Sequence, residues 1–252
     1  LDLPEATLRK YDMSSLRKVM HAAAPCPIDV KRKIIEYFGP GVVWEYYGGS
    51  EGGGTMITDE DWLEKPGSVG KPWPMSEVRI YDDDHNLLPP DQLGTIYMTA
   101  GSFGFEYHKD KKKTEASYVE GCFTMGDMGY LDEDGYLFIV DRKSDMIISG
   151  GVNIYPAEIE NVIHSHPSVL DVAVFGVPDE KWGEAIKAVV QLSEGKEASA
   201  EEILQWCEER LSKIKKPKSV DFMDELPRDI NGKIYKRKIR DTYWEGRKSK
   251  VV

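Results

Sequence analysis

A tyrosine, two glycines, a serine and a glutamate stand together at Tyr47-Gly48-Gly49-Ser50-Glu51, directly after the apolar run at residues 42–46. Glycines let a backbone approach a ligand closely, and a carboxylate such as Glu51 can hold Mg2+. The ring of Tyr47 offers a flat face to a purine, and Ser50 offers a hydroxyl to a phosphate. Taken alone, the five residues equally make a glycine-rich turn with a core tyrosine. Farther on, Asp127 follows Gly126; its two carboxylate oxygens match the two donors of a vicinal diol such as ribose, and a plain Gly-Asp turn is the alternative. Arg142, beyond the turn residues Asp132-Glu133-Asp134-Gly135, can serve ribose or phosphate oxygens, or simply pair with Asp141 or Asp145. Near the end of the chain Lys233 projects from a turn at Gly232. Its ammonium could stabilise charge developing on a phosphoryl group, or be merely solvated.

The elements that must position these groups follow from periodicity. Residues 8–11 and 15–20 read as pieces of an ongoing helix. In residues 29–38, Val30, Ile34, Ile35 and Phe38 recur at helical spacing, with Asp29 as cap and Gly39-Pro40 as stop. The strand at 42–46 and the glycine loop after it read as a βα crossover of an α/β layer, where ligands sit beyond the carboxyl ends of strands. From 67 to 140 short strands at 78–81, 95–99 and 136–140 alternate with turns, which predicts a small β-barrel or antiparallel sheet. Past Arg142 a compact α+β unit begins: Pro156 opens a helix, strands follow at 169–177 and 185–192, and Ser199-Ala-Glu-Glu202 is a capping box. The expectation is therefore an α/β layer plus β-barrel remnant over 1–141, then a small α+β domain over 142–252.

The charge supports that boundary. The net charge of −11 resides in 1–141, with 14 Lys/Arg against 25 Asp/Glu, whereas 142–252 holds 19 of each. From Glu208 on there are 14 basic and 8 acidic residues, a tail that would attract phosphate groups. Nucleic acid is a poor match, because the bulk is acidic and the lysines lack an aromatic stacking platform. No apolar run is long enough for a transmembrane segment, and Leu-Asp-Leu-Pro-Glu lacks the order of a signal peptide. Cys26, Cys122 and Cys207 have no C-x-x-C spacing, so neither disulfides nor a zinc site is expected. A cytoplasmic, water-soluble protein is the expectation, and homo-oligomerisation is open.

The motifs together resemble the C-terminal half of the adenylate-forming superfamily, which holds acyl-CoA synthetases, luciferases and nonribosomal-peptide adenylation domains. The pentapeptide at Tyr47 is similar to the family's Tyr-Gly-x-Thr/Ser-Glu, in which the tyrosine stacks on adenine and the glutamate binds metal. His21-Ala-Ala-Ala-Pro25 looks like a loop usually richer in glycine that borders the adenine and the acyl carboxylate, placing Ala23 and Ala24 there. Residues 126–160 resemble the ribose-binding and hinge segment. Leu226-Pro-Arg-Asp-Ile-Asn-Gly-Lys-Ile-Tyr-Lys236 is similar to the catalytic-lysine motif. Gly104-Phe-Glu-Tyr-His and Lys111-Lys-Lys-Thr114 sit where relatives carry a Gly-Tyr and a Pro-Glu-x-Thr stretch, and residues 169–184 add a structural match through Trp182-Gly183-Glu184.

The resemblance implies an ATP-dependent acyl-CoA synthetase of fatty or related acids, with ATP/AMP, Mg2+ and coenzyme A, and a small-molecule carboxylate as partner. The nucleotide would meet Ala23, Ala24, Tyr47, Gly48, Ser50, Asp127 and Arg142; Lys233 and Glu51 would be catalytic, with Glu51 the metal ligand. A mobile C-terminal domain would pivot at Ser144, where Asp or Lys is usual, and present Gly150 and Gly151 to the pantetheine arm. Gly49 could leave room for a bulky acyl group or answer a backbone requirement. A Ser/Thr/Gly-rich phosphate loop with a lysine is absent upstream of Tyr47, and Leu1 is not a methionine; a fragment inactive by itself is thus expected. A non-catalytic nucleotide- or CoA-binding piece and an adenylation domain loading a carrier protein remain the alternatives.

Overall fold

The structure, a computed structural model, describes residues 3–99, 104–230 and 232–245. Leu1, Asn231 and Val252 lie outside them. The chain divides into two compact units, Leu1–Ile139 and Val140–Val252.

The first unit begins with α1 (Glu5–Leu8), β1 (Val19–His21), α2 (Ile28–Phe38), β2 (Val43–Gly49), β3 (Gly52–Thr58), α3 (Asp59–Glu64) and β4 (Lys71–Pro72). Residues 15–18 are not helical and 19–20 belong to a strand, against the helix expected there. Met20 and His21 gain ladder partners in β2, which outweighs a weak local helical pattern. The four strands form one sheet in the order β1-β2-β3-β4. β1 and β2 are parallel, so the crossover is β1-α2-β2 and precedes the Tyr47 motif. The motif itself runs into a hairpin: β2 and β3 are antiparallel, Gly49 opposes Gly52, and Ser50 and Glu51 form the tip. Ile35, Val43, Ile57 and Trp62 fill the core beneath.

The second sheet of this unit uses β5 (Val78–Tyr81), β6 (Gly94–Thr99), β7 (Tyr118–Val119), β8 (Cys122–Phe123), β9 (Asp127–Leu131) and β10 (Leu137–Arg142), with helix α4 (Lys111–Ala116) before β7. Its order is β10-β9-β6-β8-β7, with β5 on the other edge of β6. Among the described residues these strands pair into a largely antiparallel sheet, one of the two forms expected, and no closed barrel is seen. Val78, Ile80, Ile96, Met98, Phe123 and Leu137 make its core.

The second unit holds β11 (Ile147–Ser149), β12 (Val152–Ile154), α5 (Pro156–His164), β13 (Val169–Asp179), β14 (Gly183–Leu192), α6 (Ala200–Glu208), β15 (Ser219–Phe222) and α7 (Lys236–Tyr243). Its sheet runs β12-β11-β14-β13, with β15 parallel to β14. β13 reads as a continuous apolar run because both faces are covered: Val172 and Val174 pack with α5 and α6, while Ala173 and Phe175 pack with Ile239 of α7. Pro156 occupies the first turn of α5, and Ser199 and Glu202 complete the capping box of α6. No helix among the described residues is long and apolar enough to cross a membrane. The three cysteines are free thiols.

Candidate functional site

In the first unit the two candidate loops leave the carboxyl ends of adjacent parallel strands, Ala22-Ala23-Ala24 after β1 and Tyr47 to Glu51 at the end of β2. That is the edge at which α/β layers bind ligands. Ala23 and Ala24 are exposed, and Ala23 has φ of 73°, a left-handed backbone that glycine occupies without strain.

Tyr47 and Asp127 come from different sheets and meet: the phenol donates to Asp127 Oδ2 at 2.6 Å. Asp127 opens β9 and is 7% exposed; a buried carboxylate must be hydrogen-bonded, and the Tyr47 phenol is one of its donors. Gly126 precedes it with φ of 85°, its N–H held by the Thr124 hydroxyl at 3.0 Å. Glu51, at the hairpin tip, accepts a hydrogen bond on Oε1 from Tyr107 at 2.9 Å. Tyr107 is itself fixed. Its N–H donates to Thr114 Oγ1 at 2.9 Å and the Lys113 ammonium lies 3.8 Å above its ring.

Gly48 and Gly49 lie in a bulge of β2 against β3. A Cβ on Gly49 would collide with Met125 Sδ and come within 2.7 Å of Glu51 Oε2. The space beside Gly49 is therefore filled by the Met125 thioether. Glycine here leaves room for the Met125 side chain.

Beneath both loops lies a buried charge cluster that sequence reading missed. Lys31 of α2, 1% exposed, pairs with Glu45 of β2, its ammonium also 4.9 Å from the Trp62 ring centroid. His21 Nε2 is 3.7 Å from the same carboxylate. Burial, then the Lys31 charge, hold the His21 pKa down to about 4. Burial raises Glu45 above the usual carboxylate range, although Lys31 opposes it, and lowers Lys31, although Glu45 opposes that. The signal was available: Lys31 stands four residues before Ile35, on the apolar stripe of α2.

In the second unit Arg142 and Ser144 are exposed. Asp145 N–H closes a turn onto Arg142 O at 3.0 Å, and Ser144 Oγ bonds Asp145 at 3.2 Å. Gly150 has φ of 58°, and a Cβ there would meet the Trp182 ring at 2.6 Å; Gly150 N–H also donates to Trp182 O at 2.8 Å. The indole of the Trp182-Gly183-Glu184 motif thus lies against the first of the two glycines, whereas nothing crowds Gly151. Lys233 sits in a hairpin closed by Asp229 N–H to Lys233 O at 2.8 Å and Lys233 N–H to Asp229 Oδ1 at 3.0 Å. Arg228 clamps it, donating to Gly232 O at 2.9 Å and pairing with Asp171 of β13.

Two sequence models match in order along the chain: the AMP-binding enzyme model over residues 1–104 and the AMP-binding enzyme C-terminal domain model over 158–233. A long-chain-fatty-acid–CoA ligase of Bacillus subtilis (strain 168) is 38% identical over 92% of this chain and 42% of its own length. A feruloyl-CoA synthase of an Amycolatopsis species is 39% identical over 92% and 47%. Among solved structures, o-succinylbenzoate CoA synthetase of Bacillus subtilis, in complex with its acyl-adenylate intermediate, superposes with a TM-score of 0.80 at 36% identity, covering 89% of this chain and 46% of that one. The chain spans about half the length of the curated relatives it matches. With both models matched in order, and relatives and solved neighbours alike, the chain belongs to the AMP-binding, adenylate-forming enzymes.

Proposed function

We propose that this chain is the C-terminal portion of an ATP-dependent acyl-CoA synthetase acting on a fatty or related carboxylic acid. The contact between Tyr47 and Asp127 carries the reading, because it joins a purine-stacking ring to a diol-binding carboxylate at the carboxyl end of β2. In the first half-reaction a carboxylate oxygen attacks the α-phosphorus of ATP, and the bond to pyrophosphate breaks. Tyr47 offers its ring to adenine beside Ala23 and Ala24, Asp127 holds the ribose hydroxyls, Gly48 lets the backbone approach, and Ser50 serves a phosphate oxygen. Lys233 stabilises the charge of the transition state, a contact worth about 3 kcal/mol in comparable sites, and Arg142 serves nucleotide oxygens.

Glu51 suits Mg2+, which is bound by one or two carboxylates together with substrate phosphates. Its Oε1 is already oriented by Tyr107. Bound there, Mg2+ would neutralise charge on the polyphosphate. In the second half-reaction the CoA sulfur attacks the acyl carbon, the bond to AMP breaks and the thiol proton is lost. Gly150 and Gly151 face the pantetheine arm after a rotation at Ser144. A cytoplasmic setting, where ATP and CoA occur, goes with this reading.

The sequence holds no phosphate loop before Tyr47, so the groups for the β- and γ-phosphates come from outside residues 1–252. The chain alone is accordingly expected to bind AMP without turnover. Calorimetry with AMP and with CoA, on the chain and on its Asp127→Ala and Tyr47→Ala variants, tests this together with pyrophosphate release from ATP and a carboxylate panel. AMP affinity should fall by about tenfold or more in each variant, about 1.4 kcal/mol. Unchanged affinity would refute the nucleotide site, and vigorous thioester formation by the chain alone would refute the division of labour.

A further inference from the structure

Lys236 is the first residue of α7, three residues past Lys233. A cation in the first turn opposes the helix dipole, and α7 has no acidic residue there to compensate. The ammonium turns elsewhere. It contacts both carboxylate oxygens of Glu160 on α5, at 2.7 and 2.8 Å, with the two side chains 23% and 18% exposed. Glu160 Oε1 also accepts the Val174 N–H of β13 at 2.7 Å. Asp141, near the end of β10, and Asp145, in the turn after it, add two further negative charges toward Lys236. Asp141 is locked in turn: one oxygen accepts Ala157 N–H in the first turn of α5 at 2.9 Å, the other Arg142 N–H at 2.7 Å. Burial disfavours the Lys236 charge, but Glu160 and Asp141 more than offset it and its pKa is raised. Burial raises Glu160 and Asp141 above the usual carboxylate range despite Lys236.

We propose that Lys236 is a positioning residue that fixes the Lys233 hairpin to α5, the helix whose first turn also binds Asp141. The hairpin's own bonds set its shape; its placement on the unit depends on α7. Ile239, Tyr243 and Trp244 hold the helix to β13, Trp244 through a hydrogen bond to Gly176 O at 3.0 Å. Lys236 holds the opposite end, the end that carries the hairpin. Because Asp141 also binds the Arg142 N–H, the two cations assigned to the nucleotide share one frame. This inference rests on the adenylation reading for its purpose and not for its test.

Hydrogen exchange of the chain, read by mass spectrometry on the wild type, Lys236→Met and Lys236→Arg, provides the test. With methionine, the amides of Asp229, Gly232 and Tyr235 should exchange about tenfold faster or more, while the interior amides of β13 and β14 change far less. Arginine should restore most of the protection. Equal acceleration everywhere, or none, overturns the proposal. Should Lys236→Met not fold, Lys236→Met/Glu160→Gln removes the unpaired charge and must still release the hairpin amides selectively. A second readout is pH. Without the ammonium, Glu160, Asp141 and Asp145 face one another, and carboxylates whose folded pKa is raised cost stability that returns as pH falls. The melting-temperature gap between Lys236→Met and wild type should therefore narrow from pH 8 to pH 5; a gap independent of pH overturns the electrostatic account. Neither readout uses ligase activity, so failure here leaves the adenylation reading standing.

Discussion

Replacing Lys31 with methionine removes one ammonium from a site with almost no access to water. Lys31 is 1% exposed at its side chain and Glu45 10%. Deleting one partner of a buried pair leaves an uncompensated charge, at a cost of about 3–5 kcal/mol. Methionine keeps most of the volume of the lysine stem, so little of that cost comes from a cavity; loss of the ammonium near the Trp62 ring adds about 0.5–1 kcal/mol. His21 works the other way. In the wild type, burial and the Lys31 charge depress its pKa to about 4. Since the unfolded value lies near 6.5, the wild type loses stability as pH falls from 6.5 toward 4, by about 3 kcal/mol in full. In the variant one of those two causes is gone and Glu45, 3.7 Å away, becomes a counter-ion. Its pKa rises, and protonation then offsets part of the damage. Urea unfolding should show a deficit of about 3–5 kcal/mol at pH 7.5, narrowing by about 1 kcal/mol or more at pH 5.5. Adding Glu45→Gln to Lys31→Met should recover about 2 kcal/mol at pH 7.5, because no buried charge remains. A deficit below about 1 kcal/mol, the range of exposed pairs, or a double variant no more stable than Lys31→Met, would refute the claim that this pair is desolvated.

Backbone strain and packing give two further outcomes. Ala23 holds φ of 73°, a left-handed conformation costing a non-glycine residue about 1 kcal/mol. Ala23→Gly should raise the melting temperature by about 2 °C, and Ala23→Val should lower it; a fall with glycine would show that the loop is unstrained. Gly49→Ala should cost about 1–3 kcal/mol by overpacking against Met125. Shortening Met125 to alanine in the same chain should recover part of it. A double-mutant cycle in urea with a coupling below about 0.5 kcal/mol would deny the contact.

Much of the second unit is legible in the sequence because its elements satisfy local rules at each step. Pro156 at a helix start, the Ser199 capping box and the apolar runs of β13 and β14 all find their expected places. The first unit is less legible where tertiary pairing outweighs local pattern. Residues 19–21 form a strand because β2 offers them a parallel ladder, and that ladder is invisible in a window of six residues. The glycines after Tyr47 suit a crossover, but a bulged hairpin demands glycine just as strongly. Closure of the second sheet is not readable from strand spacing, since a barrel and an open sheet use the same alternation. The residues around the candidate ligand groups show the same division. Motif residues such as Tyr47, Asp127 and Lys233 stand out by type and spacing. Their supports, Tyr107, Met125, Arg228 and Lys236, are less legible: three of them fall within quoted motif stretches, but what each one holds emerges only when the chain brings them into contact.

Both units place an ion pair beneath the loop that carries a candidate catalytic group: the buried Lys31 with Glu45 under the ends of β1 and β2, and the partly buried Lys236 with Glu160 at the foot of the Lys233 hairpin. Stability alone does not account for either, since a well-packed apolar pair of similar volume is often as stable or more so. Direction does account for them. Apolar side chains tolerate small slides, because the dispersion attraction given up on one side is regained on another. A buried ammonium loses its partner within about one ångström of displacement and then bears the full desolvation penalty. α2 is thereby held to β2 in one register, and α7 to α5 in another. The loops themselves can then be short, exposed and rich in small residues, as Ala23, Gly49 and Gly232 require, because the frame beneath them supplies the precision that such residues lack.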